Sequence, residues 1–370
     1  MFNKVKIFIK KEMVFSIAAL CAVISAFLIP PSREYMGYID WSVLALLFCL
    51  MAVVEGLREA GVLSGLSNML LSKTKSIKTL GLALVLLCFF LAMLITNDVA
   101  LITLVPLTIG ILEGQREEKI IFIVVMETVA ANLGSLATPI GNPQNLFLYS
   151  HYNMDIVSFL KITIPLCLIS LILIIPIMLC LTGGDINIEL TDKKTEINKK
   201  RAAKFIALFI VCLFTVLNIL DYRLCFFIVL VVLFFTDRGV LNKVDYMLLF
   251  TFVCFFIFVG NISNINAVSG LVSKVIKGNE WLTAALLSQV ISNVPAAVML
   301  SSFTDNAKSL IMGTNIGGLG TLVASLASLI SYRIYCGHEG AKKGKYLVVF
   351  SLINFILLFI FIVFTWFISR

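Results

Sequence analysis

Long apolar runs separated by short polar stretches make up nearly the whole chain. A helix needs about 20 apolar residues to cross roughly 30 Å of hydrocarbon. Seven runs suit single transmembrane helices, although several are short: residues 14–30, 41–56, 156–181, 204–220, 224–236, 247–260 and 346–368. The pattern predicts an all-α polytopic membrane protein whose first span, 14–30, is too long for the apolar core of a cleaved signal peptide.

Four other apolar regions are interrupted near their middle by polar residues, glycine or proline. They are 80–111, interrupted at Thr96-Asn97-Asp98; 120–149, interrupted over 132–145; 282–303, interrupted at Ser292-Asn293; and 311–335, interrupted over 313–321. In the second region, residues 120–131 predict a helix of 12 residues, or about 18 Å, that ends near mid-membrane. Helix ends at that depth leave backbone groups unsatisfied unless they line a cavity.

The charge distribution supports one topology. We interpret residues 79–113 and 280–305 as re-entrant hairpins, and 119–150 and 309–335 as broken helices, which leaves nine crossings with the N-terminus inside. This topology places 22 of the 29 Lys and Arg residues on the inner side, in segments 1–13, 55–78, 113–119, 183–204, 237–243 and 333–345. The asymmetry follows the positive-inside rule.

Composition excludes several classes of function. With 60% hydrophobic residues, 14% charged residues and a mean hydropathy of +1.04, the chain is not a soluble protein. The net charge of +8 is explained by the inner-side basic residues, so we expect no nucleic-acid partner. No CxxC pair, histidine cluster or P-loop motif occurs in the sequence, so we expect no metal centre, no cofactor and no enzyme.

The two halves of the sequence match in pieces and in the same order. Asp40-Trp41 and residues 64–66 correspond to Asp245-Tyr246 and residues 269–271 at an offset of 205, and residues 131–138 correspond to 314–321 at an offset of 183. The topology gives the two halves opposite directions. Inverted repeats with discontinuous helices are typical of secondary transporters. We assign 1–182 to the first inverted repeat, 183–203 to a cytoplasmic linker and 204–370 to the second repeat, in which 204–220 has no counterpart.

The interruptions supply the chemistry of a binding site at the repeat interface. The second arm of each hairpin is expected to begin after the polar tip, and a helix N-terminus offers N–H donors and partial positive charge to an anion. Glycines, side-chain oxygens and freed carbonyls in the broken helices suit sodium. The candidate substrate- and ion-binding residues are Thr96, Asn97, Asp98, Asn132, Gly134, Ser135, Thr138, Pro139, Gly141, Asn142, Ser292, Asn293, Pro295, Thr314, Asn315, Gly317, Gly318 and Thr321.

Asp98 and Glu127 are the two carboxylates predicted near mid-membrane, where a charge is costly and usually functional. Asp98 is interpreted as a coupling-ion ligand or protonation site, or alternatively as a helix N-cap. Because its charge repels an anion, it favours a cation bound beside the substrate or a proton-coupled cycle. Glu127 is a candidate proton relay, or else a buried carboxyl group paired with a hydroxyl or amide.

The chain resembles the ion transporter superfamily at four strings: TNDVALITLVP, ANLGSLATPIGNPQN, SQVISNVP and GTNIGGLGTLVASLASL. This superfamily contains citrate-transporter-like permeases, among them divalent-anion/sodium symporters, arsenical-pump proteins and sodium/proton antiporters. The resemblance covers nearly the whole chain. It implies hairpins entering from opposite faces, a substrate between their tips, sodium or proton sites beside them, elevator-type movement and a homodimer. In the symporters both tips read Ser-Asn-Thr, whereas the third positions here are Asp98 and Val294.

These features predict a secondary active transporter of the inner (cytoplasmic) membrane. Its expected substrate is a small anion, either a di- or tricarboxylate or an inorganic oxyanion, and its coupling ion is sodium or a proton. A sodium/proton antiporter that uses Asp98 is the main alternative, and a channel is the remote one. The expected partners are the anionic substrate, the lipid bilayer and a second copy of the chain.

Overall fold

The structure is a computed structural model that describes residues 12–65, 76–180, 197–265, 270, 272–274 and 276–369. All regular elements of these ranges are helical. Five of the described helices are long and apolar enough to cross a membrane: Trp41–Glu59, Ile77–Leu94, Ile156–Leu179, Tyr246–Ser263 and Lys343–Ile368. The predicted all-α polytopic class is therefore confirmed.

The helices of the first half come in the order that the sequence predicts. They are α1 (Met13–Leu28), α2 (Tyr35–Tyr38), α3 (Trp41–Glu59), α4 (Ile77–Leu94), α5 (Asn97–Ile111), α6 (Glu117–Ser135), α7 (Pro143–His151) and α8 (Ile156–Leu179). The first predicted hairpin is α4 with α5, and the first broken helix is α6 with α7.

The second half repeats this order after three helices that precede it. The helices are α9 (Lys199–Val216), α10 (Tyr222–Thr236), α11 (Arg238–Leu241), α12 (Tyr246–Ser263), α13 (Glu280–Ile291), α14 (Asn293–Ser301), α15 (Ala307–Ile316), α16 (Leu326–Cys336) and α17 (Lys343–Ser369). The series from α12 to α17 thus has the order of α3 to α8. Residues 66–75, 181–196, 266–269 and 271, which include parts of the 64–66 and 269–271 match and of the predicted linker, lie outside the described residues.

Polar caps fix where several of these helices begin. Ser76 forms a capping box with Thr79 at the start of α4, and the Asn142 side chain accepts a hydrogen bond from the Asn145 N–H at the start of α7, with Pro143 as the first helical residue. Such side chains satisfy N–H groups that lack partners within the helix. Asp40 and Asp245, which match in the repeat, cap α3 and α12 in the same way.

Contacts along α6 show that the two arms of the first hairpin are antiparallel. α4 runs parallel to α6, because Gly81 lies against Ile123 and Phe89 lies against Gly134. α5 runs antiparallel to α6, because the Thr108 hydroxyl bonds to Glu127 while Asn97 at the other end of α5 bonds to Asn132. In the second half, α13 runs parallel to α15 in the same manner as α4 to α6.

The broken helices continue further than the sequence predicts. α6 extends to Ser135 and has 19 residues, so the predicted end at residue 131 is wrong. α15 extends to Ile316, which makes Gly313, Thr314 and Asn315 helical as well. Polar and glycine residues stay helical here because the hairpin arms pack directly on them. A Cβ on Gly134 would lie 2.1 Å from the carbonyl oxygen of Phe89, and one on Gly313 would lie 2.2 Å from that of Trp281.

Long-range polar contacts join segments that the charge count places on the same side. At the predicted inner end, Arg201 bonds to both Glu59 and Asp237, and Lys243 pairs with Glu59. At the predicted outer end, the Tyr152 hydroxyl donates to the carbonyl oxygen of Thr304 at 2.7 Å. Charged groups avoid hydrocarbon, so we expect the cluster around Glu59 to lie at one face of the membrane-embedded body.

The close approach at Gly134 gives a stability prediction. Gly134→Ala forces the new methyl group against the Phe89 backbone and is expected to destabilise the protein by about 1–3 kcal/mol, as overpacking does. The measurement is the melting temperature of the purified protein in detergent. Gly110→Ala on α5 is the matched control, because open space surrounds that position and the helix itself gains about 0.5–1 kcal/mol. An unchanged melting temperature for Gly134→Ala would contradict this packing.

Candidate functional site

The tip of the first hairpin is held by main-chain and amide hydrogen bonds. Thr96 precedes α5 without a side-chain capping bond. The Asn97 N–H donates to the Gly141 carbonyl oxygen at 3.0 Å, and the Asn97 amide donates to Oδ1 of Asn132 at 3.3 Å. Asp98 is the second residue of α5, so its interpretation as the N-cap is wrong.

The second hairpin turns more sharply than the first. Ser292 alone separates α13 from α14, with φ 78° and ψ 153°, a backbone conformation that is strained for any residue except glycine. Its hydroxyl donates to the carbonyl oxygen of Ala324 at 3.4 Å. Pro295 lies in the first turn of α14, where its missing N–H costs no helical bond. Asn293 begins α14 beside Gly318, where a Cβ would lie 3.0 Å from the asparagine Nδ2.

Asn132, in the last turn of α6, links the first hairpin to the second broken helix. Its Oδ1 accepts from Ser325 Oγ at 2.9 Å, and its Nδ2 donates to Ser328 Oγ at 3.2 Å and to the Gly318 carbonyl oxygen at 3.5 Å. Asn132 thus joins Asn97 of the first hairpin tip to Gly318, and Asn293 of the second tip lies beside that glycine.

Asn315, in the last turn of α15, makes the complementary link to the first broken helix. Its Nδ2 donates to Asn145 Oδ1 at 2.6 Å, and its Oδ1 accepts from Asn142 Nδ2 at 3.2 Å. Asn142 also donates to Ser135 Oγ at 3.1 Å. The Asn145 amide then satisfies three carbonyl oxygens of the break, those of Ser135, Leu136 and Thr138. We call the hydrogen-bonded set Asn97, Asn132, Asn142, Asn145 and Asn315 the asparagine core.

Repeat-related threonines fasten each break to its neighbouring hairpin. The Thr138 hydroxyl donates to the carbonyl oxygen of Met93 at 2.5 Å, and the Thr321 hydroxyl donates to that of Gln289 at 2.9 Å. Asn97 and Asn293 align the hairpins at an offset of 196, which also aligns Met93 with Gln289. Each repeat therefore forms the same bond between hairpin and break.

The remaining predicted residues shape the breaks and do not line a described cavity. Gly141 and Gly317 allow close approach, because a Cβ there would lie 2.2 Å from the Ser135 carbonyl oxygen and 2.7 Å from Ser288 Oγ, respectively. Thr314 bonds back to the Leu310 carbonyl oxygen at 2.8 Å within α15. Pro139 is buried in the first break.

Asp98 lines a cavity of about 410 Å³. α5, the start of α12, α16 and the start of α1 form its walls, and Lys243 and Arg333 from the predicted inner segments lie along it. Asp98 is half-buried, and its Oδ1 is buried without a hydrogen-bond partner among the described residues. We call this space the inner vestibule; it connects the first hairpin tip with the predicted inner side.

A smaller cavity of about 200 Å³, the outer vestibule, lies at the other end of the protein. Four of its lining residues correspond to residues of the inner vestibule through the offsets above: Tyr38 to Lys243, Asp40 to Asp245, Phe147 to Ile330 and Val298 to Ile102. The outer vestibule reaches Val298 in the second turn of α14 but not Val294, the counterpart of Asp98. The two cavities are therefore related by the repeat and unequal in depth.

Glu127 lies apart from both vestibules. It is fully buried on α6, where its Oε1 accepts a hydrogen bond of 2.6 Å from the Thr108 hydroxyl, and its Oε2 has no partner in the described part of the chain. This contact fits the interpretation of a carboxyl group paired with a hydroxyl, whereas its role as a proton relay stays a prediction.

Sequence reasoning missed several residues that hold the site together. Gln289 donates to the carbonyl oxygens of Gly317 and Leu319 and accepts from the Thr321 N–H, each at 2.9 Å. Ser325, Ser328 and Asn145 were also overlooked. All four residues lie within or close to the polar interruptions at 132–145, 292–293 and 313–321. A polar residue close to a predicted interruption was therefore the signal that could have found them.

Known proteins resemble this chain over most of its length. Residues 4–309 match the family described as citrate transporter. An uncharacterized transporter of Methanocaldococcus jannaschii is 35% identical over 332 residues, which cover 86% of this chain and 88% of the relative. Inner membrane protein YbiR of Escherichia coli is 31% identical over 325 residues, 86% and 87% of the two chains. The silicon efflux transporter LSI3 of Oryza sativa is 29% identical over 143 residues, 39% and 29% of the two chains.

Replacing Gln289 tests whether its amide holds the second break. Gln289→Met keeps the length of the side chain, and methionine is the residue that the first repeat has at this position. The variant leaves two carbonyl oxygens and one N–H without their side-chain partner, each costing about 1–3 kcal/mol if it stays unsatisfied. We expect a clearly lower melting temperature and slower transport. The control Gln115→Met changes an amide in the loop after α5, and equal melting temperatures for both variants would refute the role of Gln289.

Proposed function

Because the chain belongs to the citrate transporter family, we propose that it is a secondary active transporter that moves a small anion with a coupling cation bound at Asp98. The family and its relatives make the protein a multi-pass membrane transporter, not an enzyme. The proposed substrates are di- or tricarboxylates, of which citrate is the family's example, or inorganic oxyanions. The proposed location is the inner membrane, with the N-terminus in the cytoplasm.

The two vestibules support alternating access. The inner one reaches the first hairpin tip, whereas the outer one ends about one helical turn short of the second tip. This is the arrangement expected of an inward-facing state, with the repeat-related path closed. The threonine bonds and the asparagine core join both hairpins to both broken helices, so these elements are suited to move as one body in an elevator-type step against α3 and α12.

The difference between the two tips supports separate places for the anion and the cation. Asp98 puts a carboxylate in the first turn of α5, where it occupies the positive end of the helix and repels a second anion. Val294 and Pro295 leave the start of α14 free of acidic side chains. We therefore place the anion beside the second tip and the cation, sodium or a proton, at Asp98. The single observation that carries this assignment is that Oδ1 of Asp98 has no hydrogen-bond partner among the described residues.

Ligand stabilisation tests the proposal first. The melting temperature of the purified protein is measured with citrate, succinate, sulfate, phosphate and arsenite, each in sodium and in choline and at two pH values. A ligand present at 100 times its Kd stabilises the folded state by about 2.7 kcal/mol. We expect one anion to raise the melting temperature, and to do so more strongly with sodium or at the lower pH. Stabilisation by none of the anions under any condition would contradict the proposed substrate class.

Asp98→Asn tests the coupling role directly. The variant keeps the size of the side chain and removes its charge, so we expect accumulation of the identified anion against a cation gradient in proteoliposomes to fall at least about tenfold, the loss of about 1.4 kcal/mol of coupling. Asp155→Asn is the matched control, because it replaces an N-cap of α8 outside both vestibules with another good cap. If Asp98→Asn accumulates the anion as well as the wild type, Asp98 does not bind the coupling cation.

A sodium/proton antiporter is the second candidate, and the inner vestibule gives the observation that favours it. Asp98 and Asp245 both line this cavity, and two carboxylates on one path suit alternate binding of sodium and protons. Under this alternative, sodium alone stabilises the protein, more strongly as pH rises, and no anion adds to the effect. Asp98→Asn would then abolish sodium/proton exchange.

A further inference from the structure

The aspartates that cap α3 and α12 have a feature that capping alone does not require. Asp40 Oδ1 accepts from the N–H groups of Ser42 and Val43, both at 3.1 Å, and Asp245 Oδ1 accepts from the Leu248 N–H at 3.0 Å. In both aspartates, these capping hydrogen bonds go to one carboxylate oxygen, Oδ1. Asparagine or serine caps a helix about as well as aspartate, so the cap does not need the negative charge.

Both charges lie on the walls of the vestibules. Asp245 lines the inner vestibule together with Asp98, and Asp40 lines the outer vestibule at the opposite end of the protein. The two aspartates correspond at the offset of 205, and their helices belong to the part of the fold that we propose stays fixed. A carboxylate on a fixed wall of each vestibule therefore faces the route to the hairpin tips.

Acidic side chains outnumber basic ones among the described residues that line the inner vestibule. In the described part of the chain, the charged groups that line the inner vestibule besides Asp245 are Glu12, Asp98, Lys243 and Arg333, and Lys243 is paired with Glu59. On the outer vestibule, the other titratable side chains among the described residues are those of His151 and Tyr38. A cleft with low-dielectric walls concentrates counter-ions opposite in sign to its fixed charges.

We propose that Asp245 and Asp40 are the inner and outer entrance sites for the coupling cation, which passes from either one to Asp98. This proposal rests on the proposed function. The ligand is a small monovalent cation, sodium or a proton, that is drawn to the carboxylate without leaving the water of the vestibule. Asp245 lines the same cavity as Asp98 in the present structure. Asp40 comes to share a cavity with the hairpin tips when the outer vestibule deepens.

Asp245→Asn and Asp40→Asn separate this role from capping, because both variants keep a good N-cap. Uptake of the anion that stabilises the protein is measured in inverted and in right-side-out membrane vesicles. In one series sodium chloride is replaced by choline chloride at equal ionic strength, and in a second series the pH is varied. We expect Asp245→Asn to raise the half-saturating cation concentration on the inner side by about three- to tenfold, a typical loss of electrostatic focusing. Asp40→Asn should raise the half-saturating cation concentration on the outer side only. A shift in the sodium series would identify sodium as the ion, and a shift in the pH series would identify the proton.

Control measurements keep the two hypotheses distinguishable. Asp155→Asn, an N-cap that lines neither vestibule, should leave both sides unchanged, and high salt should reduce the effect of the vestibule variants because it screens the charge. If an Asn variant fails to fold, Asp245→Ser or Asp40→Ser provides a second neutral cap. A wild type without cation dependence would overturn the proposed function. A cation-dependent wild type whose variants behave normally, or shift both sides equally, would overturn the entrance sites alone.

Discussion

The need to satisfy backbone groups where helices end inside the membrane governs the rest of this structure. α6 and α15 both end within the protein body, and the chain resumes as a helix only after a break. In hydrocarbon each unsatisfied carbonyl or N–H costs several kcal/mol. The asparagine core meets this requirement by placing an amide from one break against the other: Asn315 bonds to Asn145, and Asn132 bonds to Gly318 and Ser328. Each break is thus completed by the opposite repeat.

The completion of each break by the opposite repeat connects the fold to the proposed mechanism. The first hairpin tip bonds to Asn132 of the core, and the second tip lies against Gly318 and Ala324 of the second break. We therefore propose that the two tips move together. Under the proposed mechanism, the inner vestibule closes as the outer one opens, and the corresponding lining positions of the two cavities support this. Asp98 differs from the other polar residues at the centre because the core does not occupy its Oδ1. An oxygen with no partner in the part of the chain that the structure describes is available to a cation.

Much of the architecture could be predicted from the sequence. Interrupted apolar runs marked four places where one helix ends and another begins, and the matched fragments Asp40-Trp41 and Asp245-Tyr246 marked the starts of α3 and α12. The exact ends could not be predicted, because the helicity of Asn132 and Gly134 depends on close packing against α4, a tertiary contact without a local signal. Gln289 could not be predicted for the same reason, because three of its side-chain hydrogen bonds reach residues 28 to 32 positions away. Several predicted sodium ligands bond to protein groups that the sequence did not indicate: Thr138 to Met93, Thr321 to Gln289 and Asn315 to Asn145.

The central claim is that the two vestibules open in alternation. Its most direct test is side-specific labelling of Ile102→Cys and Val298→Cys, repeat-related positions on the two vestibules, in a background in which the nine native cysteines are replaced. A membrane-impermeant maleimide is added from one side at a time. We predict that each position reacts from its own side only and that conditions which increase labelling of one decrease labelling of the other. Simultaneous high reactivity of both positions would indicate an open channel and contradict the account.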